Sequence, residues 1–147
     1  MSKTNHPFKP AWWARNPHLQ TILPVVLPYD SPKYTRERWD TDDEDFIDLD
    51  WVNLEFAGQA QQKIFILFHG LEGSSKSSYS KAMMRLAQMR GWTGVVVHWR
   101  SCSGQMNLGR VMYHSGFSSE IDWVVKRIAK RFPNSIRHIA GVSLGGN

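Results

Sequence analysis

Two uninterrupted apolar runs, Ile64-Phe65-Ile66-Leu67-Phe68 and Gly94-Val95-Val96-Val97-His98-Trp99, constrain this chain more than anything else in it. A strand without polar alternation fits a position covered on both faces, as in a parallel sheet. Parallel neighbours need a crossover, and a helical pattern follows each run. After the first comes the turn His69-Gly70-Leu71-Glu72-Gly73, and Ser77 or Ser78 is placed to cap a helix. Tyr79, Met83, Leu86 and Met89 or Arg90 then fall at helical spacing, with Gly91 as the natural stop. After the second run a loop covers 100–115. Phe117, Ile121, Val124, Val125, Ile128 and Phe132 then trace one helix face. Glu120 and Asp122 lie in its first turn and Lys126, Arg127, Lys130 and Arg131 near its end, the order that the helix dipole favours. A third strand is expected from Ile136 to Val142. Strands alternating with helices predict an α/β domain with a mostly parallel sheet.

Residues 34–56 precede this series as an antiparallel strand pair. Ile47, Leu49 and Trp51 alternate with Asp48 and Asp50, which predicts a strand with one wet face and solvated aspartates. Residues 1–33 carry Pro7, Pro10, Pro17, Pro24, Pro28 and Pro32 and read as an irregular arm. Its Trp12, Trp13, Leu19, Ile22, Leu23, Val25, Val26 and Leu27 are too apolar for a linker. The arm is therefore expected to pack on the domain formed by 34–147. Burial of each tryptophan would contribute about 2–3 kcal/mol.

Several classes are disfavoured. Cys102 is the single cysteine, so no intrachain disulfide forms. The first ten residues lack the apolar core of a signal peptide, and no apolar run approaches the roughly 20 residues of a membrane span. A cytoplasmic location is expected. The net charge of +5 is spread between Arg36 and Arg38 and the late helix, with no basic run interleaved with aromatics. This argues for a solvated surface rather than a nucleic-acid partner.

The chemistry concentrates at the end. Gly141-Val142-Ser143-Leu144-Gly145 directly follows the expected last strand and matches a Gly-x-Ser-x-Gly nucleophile elbow. Such a turn lifts a serine hydroxyl clear of the sheet, and close backbone approach on either side requires the small residues Gly141 and Gly145. A simple strand-to-helix turn would give the same five residues, and the preceding strand and helix order is what favours the elbow. His69-Gly70-Leu71-Glu72-Gly73 stands where the companion loop is expected. The backbone N–H groups of Leu71 and Leu144 are then the candidate oxyanion donors. His69 reads as a loop-shaping residue, because the general base follows the serine in this arrangement.

Trp13-Ala14-Arg15-Asn16-Pro17-His18-Leu19-Gln20-Thr21, His69-Gly70-Leu71-Glu72-Gly73-Ser74, Arg100-Ser101-Cys102-Ser103-Gly104, Tyr113-His114-Ser115-Gly116 and Ser143-Leu144-Gly145-Gly146-Asn147 together resemble the N-terminal half of the YheT-like (AB hydrolase 4) family of α/β-hydrolases. The resemblance implies an α/β-hydrolase fold cut after the elbow. It also implies a serine hydrolase acting on carboxylic esters, with a small-molecule or lipid-like substrate and no cofactor or metal. Only Ser143 of the Ser-Asp-His triad can be carried over, and the isolated chain is expected to be poorly stable and close to inactive. The sequence departs from the family pattern at Ser101, where glycine is expected, and at Phe117, Ser118 and Ser119, where acidic residues are expected. The alternatives are a non-enzymatic remnant or binding scaffold, and an acyltransferase in the full-length form. The oligomeric state is not legible. Cys102 has no evident activating neighbour, His18, His98 and His114 match no zinc spacing, and Glu120 and Asp122 read as helix-terminus charges.

Overall fold

The computed structural model describes residues 9–27 and 30–147. Pro7 and Pro28 of the expected arm lie outside the described residues. The strands are β1 (Thr35–Asp40), β2 (Phe46–Val52), β3 (Lys63–Phe68), β4 (Thr93–Val97) and β5 (Ile136–Gly141). The helices are α1 (Pro17–Val26), α2 (Ser78–Met89) and α3 (Ser118–Arg131).

The strands form one sheet in the order β1-β2-β4-β3-β5. β3 pairs in parallel with β4 and with β5, while β2 pairs antiparallel with β1 and with β4. Only β2 therefore runs against the others, and the expected α/β-hydrolase sheet with an antiparallel N-terminal pair is what forms. Alternation along the buried strands separates two cores. Ile64, Ile66 and Phe68 of β3 join Val95 and Val97 of β4 beneath Val124 and Ile128 of α3 and Phe132 at its C-cap. Leu67 and Val96 face the other way, onto Met84 of α2. The helices thus cover opposite faces of the sheet, as a βαβαβ path requires.

Gly91 ends α2 as expected, at φ +66°. Trp92 N–H donates to Ala87 O at 2.9 Å and Gly91 N–H to Gln88 O at 2.9 Å, which is the paired pattern of a Schellman stop. Ser77 occupies the N-cap position of α2, but its hydroxyl accepts backwards from Ser74 N–H at 3.1 Å. β5 lies at the open side of the sheet, with Ile136 45% and Ile139 53% exposed.

Two expectations need correcting. Asp48 and Asp50 are buried, not solvated. The register sets Arg36 directly opposite Asp50 and Arg38 opposite Asp48, and each pair is bidentate at 2.7–2.8 Å. Cross-strand partners and the loop after β4 cover the face that the alternation left to water. The arm is also not irregular throughout. Trp12–Ala14 forms a short 3-10 turn and Pro17–Val26 a helix, capped by the Asn16 side chain accepting His18 N–H at 2.9 Å. Pro17 sits at the start of this helix, where a missing N–H leaves no partner wanting. Trp12, Trp13, Ile22 and Val26 are exposed, so the described arm leaves in solvent side chains expected to be packed on the domain.

Candidate active site

The turn after β5 has the geometry of an elbow. Ser143 has φ +52°, a left-handed conformation that a non-glycine residue adopts only under constraint from its surroundings. Residues Ser143–Gly146 then turn as a short 3-10 segment. The glycines on both sides are sterically required. A Cβ on Gly141 would lie 2.1 Å from Gly145 O, and one on Gly145 would lie 2.4 Å from Phe68 O. The elbow is therefore pressed against the end of β3, where Val142 N–H donates to Phe68 O at 3.0 Å. Ser143 is exposed, and its hydroxyl has no hydrogen-bond partner among the described residues.

The loop leaving β3 meets the elbow at this point. A Cβ on Gly70 would stand 3.4 Å from Ser143 Cβ. Leu71 is exposed, and Leu144 is half-buried against the core. The structure thus places Ser143, Leu71 and Leu144 on adjoining turns at the same end of the sheet, the ends of β3 and β5. His69 is buried beneath them. Its Nε2 accepts Trp99 N–H at 3.2 Å, which leaves the proton on Nδ1 to be donated to Gly70 O at 2.7 Å. Burial lowers its pKa from 6.5 to about 4, so the ring is neutral near pH 7. It shapes the loop rather than reaching the serine.

Two polar networks that sequence reasoning missed brace the surrounding loops. Asp50 accepts from Arg36, from Ser75 Oγ at 2.5 Å and from His98 Nε2 at 2.9 Å. Burial alone would raise its pKa, but these partners hold the carboxyl well below the ordinary range. Ser75 lies just past the His69–Gly73 turn, and its carbonyl accepts the Tyr34 hydroxyl at 3.1 Å. The second network centres on Arg100, which donates to Glu120 at 2.8 Å, Asp43 at 2.6 Å and Asp45 at 3.0 Å. Glu120 is therefore more than a helix-terminus charge: it is buried and anchors the loop that follows β4. Asp122 remains exposed, paired with Lys126.

Cys102 is half-buried, and burial raises its thiol pKa. It packs with Tyr113 and Leu144 against the core as a small loop residue. Among the described residues, no group of His, Cys, Asp and Glu is arranged to hold a metal ion. No described helix is long and apolar enough to cross a membrane.

No family model matches the chain. It is 42% identical over 135 residues to the esterase candidate YheT of Escherichia coli (strain K12), covering 90% of this chain and 39% of that protein. Phospholipase ABHD3 of Homo sapiens is 27% identical, over 95% of this chain and 35% of its own length. The chain thus spans less than half the length of these relatives. Among solved structures, the α/β serine hydrolase XC6422 of Xanthomonas campestris superposes with a TM-score of 0.59 at 18% identity, covering 81% of this chain and 55% of that one. The esterase Pf2001 of Pyrococcus furiosus superposes with a TM-score of 0.58 at 18% identity, covering 77% and 43%.

Proposed function

We propose that this chain, which has an α/β-hydrolase fold and is similar to YheT, carries the nucleophile and oxyanion loop of a serine hydrolase cleaving carboxylic esters. The observation that carries this reading is the strained, exposed Ser143 at φ +52°, locked between two glycines that admit no side chain.

In this reading Ser143 Oγ attacks the carbonyl carbon of the ester. The carbonyl oxygen gains negative charge and accepts the N–H groups of Leu71 and Leu144. Donors held in place before the charge develops need no rearrangement at the transition state, and each contributes about 3–4 kcal/mol. Collapse expels the alcohol and leaves an acyl-serine, which water then hydrolyses. A serine hydroxyl needs a base, and the acid and histidine follow the serine in chain order in this fold. Among the described residues no base stands on Ser143, so this stretch alone is expected to turn over ester very slowly. A small or lipid-like acyl ester is the proposed substrate, following the esterase and phospholipase names of the relatives. The reaction is proposed to take place in the cytoplasm.

The test is ester turnover by the complete gene-encoded polypeptide against its Ser143→Ala variant. Loss of at least about a thousandfold in kcat is expected for removal of a triad nucleophile. Equal turnover by the two proteins would refute the assignment.

A further inference from the structure

Three consecutive backbone amides in the loop after β3 have different fates. Gly70 N–H donates to the Tyr79 hydroxyl at 3.1 Å, and Glu72 N–H donates to the Tyr113 hydroxyl at 3.2 Å. Leu71 N–H, between them, has no partner among the described residues.

The two tyrosines come from opposite sides of the sheet. Tyr79 stands in α2 and packs with the core on that face. Tyr113 stands in the loop after β4 and packs with the core beneath α3. Each is itself fixed. The Tyr113 ring stacks on Trp99 at 6.2 Å with 7° between planes, and Trp99 Nε1–H donates to His69 O at 2.8 Å. The Tyr79 hydroxyl lies where a Cβ on Gly73 would come within 2.6 Å, so the absent side chain at Gly73 makes room for it. Glu72, held by Tyr113, is at φ +55°, a conformation that a non-glycine residue keeps only when its neighbours impose it.

We propose that Tyr79 and Tyr113 are positioning residues for the oxyanion loop: their hydroxyls occupy the two flanking N–H groups and leave Leu71 N–H, in the loop that adjoins Ser143, as the one uncommitted donor of the three. This rests on reading Ser143 as the nucleophile. A donor serves a developing oxyanion only if its direction is set beforehand, and a peptide pinned on both sides cannot turn its N–H away. Tyr113 also makes the loop after β4 part of the site, since a shift of that loop would release Glu72 and with it Leu71.

Hydrogen exchange resolved to single amides, measured on the complete polypeptide, tests the arrangement directly. Leu71 is expected to exchange fastest of the three. Tyr113→Phe keeps the stacked ring but frees Glu72, which should exchange about tenfold faster. The same variant should lower kcat about tenfold with KM within about twofold, since a displaced donor is felt in the transition state rather than in substrate binding. Tyr79→Phe should do the same through Gly70. Unchanged exchange at Glu72 and Gly70 would overturn the proposal, and so would a freed amide with kcat untouched. Should Ser143→Ala leave turnover intact, the nucleophile reading falls, while the exchange pattern still decides whether the tyrosines hold the loop.

Discussion

Gly145→Ala puts severe strain on the proposed site where the elbow meets β3. The added Cβ would stand 2.4 Å from Phe68 O and 2.7 Å from His69 O, both backbone atoms. Real Cβ atoms do not come within 3.0 Å of such neighbours, so the elbow and the end of β3 must separate by at least 0.6 Å. No flexible side chain can absorb that shift. It must move either Ser143 or the stretch from which Leu71 is suspended. Overpacking of this kind costs about 2–3 kcal/mol. A displacement approaching 1 Å at a reacting group lowers turnover by roughly 10- to 100-fold. Gly91→Ala is the control. Gly91 also has a positive φ, +66°, but a Cβ there would meet nothing within 4 Å. It should cost only about 1 kcal/mol of backbone strain and leave turnover unchanged. Urea unfolding midpoints and ester kinetics on the complete polypeptide read both effects. If Gly145→Ala is no more destabilised than Gly91→Ala, the close approach between elbow and β3 is refuted.

Two further outcomes follow from the buried polar groups. Asp50→Asn should destabilise by roughly 2–4 kcal/mol, because His98 and Ser75 lose a buried anionic partner, with some relief from the part-exposed Arg36. Asp48→Asn breaks fewer such bonds, so chemical denaturation giving equal losses for the two would show that the network around Asp50 is not a unit. His69 binds its proton more weakly when folded, with a pKa near 4 against 6.5. The unfolded chain therefore takes up a proton first as pH falls. Its contribution is intact above about pH 6.5 and shrinks towards pH 4, by about 3 kcal/mol in total. The stability of His69→Gln should accordingly fall less steeply between pH 7 and pH 4.5. Parallel pH profiles would show that His69 is not buried as a neutral ring.

The parts of the fold legible in the sequence are those dictated by local backbone demands or by period. The runs at 64–68 and 94–97, the apolar face of α3 and the stop at Gly91 each carry their reason within a few residues. The elbow is legible in the same way, because the glycines at 141 and 145 answer to atoms almost in contact. Asp48 and Asp50 were not legible as buried groups. Their partners sit 10 and 14 residues earlier, and only the register of β1 on β2 reveals that Arg38 and Arg36 stand opposite them. Period two states which residues share a face, not whether another segment covers it. The proline count also misled for α1, since Pro17 starts a helix as readily as it ends one. At Ser101, by contrast, the glycine expected from the family pattern acquires a reason, and the serine in its place carries backbone strain. That residue has φ +65°, the region in which glycine carries no penalty.

Charged groups that resembled candidate chemistry bind loops instead. Asp50 ties Ser75, just past the loop bearing Leu71, to Arg36 of β1 and to His98 after β4. Arg100 ties the start of the next loop to Asp43 and Asp45 in the β1–β2 turn and to Glu120 of α3. Farther along that loop, Tyr113 reaches back to Glu72. Each buried ion pair thus fixes a segment leading to the turns around Ser143. Burying charge is costly unless it is well paired, and here the pairing holds irregular backbone that has no ladder of its own. In the proposed site, a hydroxyl on a strained turn and a donor on a separate loop act together only if both are held to within a fraction of an ångström. The buried acids of this chain and the arginines paired with them supply that restraint in the proposed site, at a distance from Ser143.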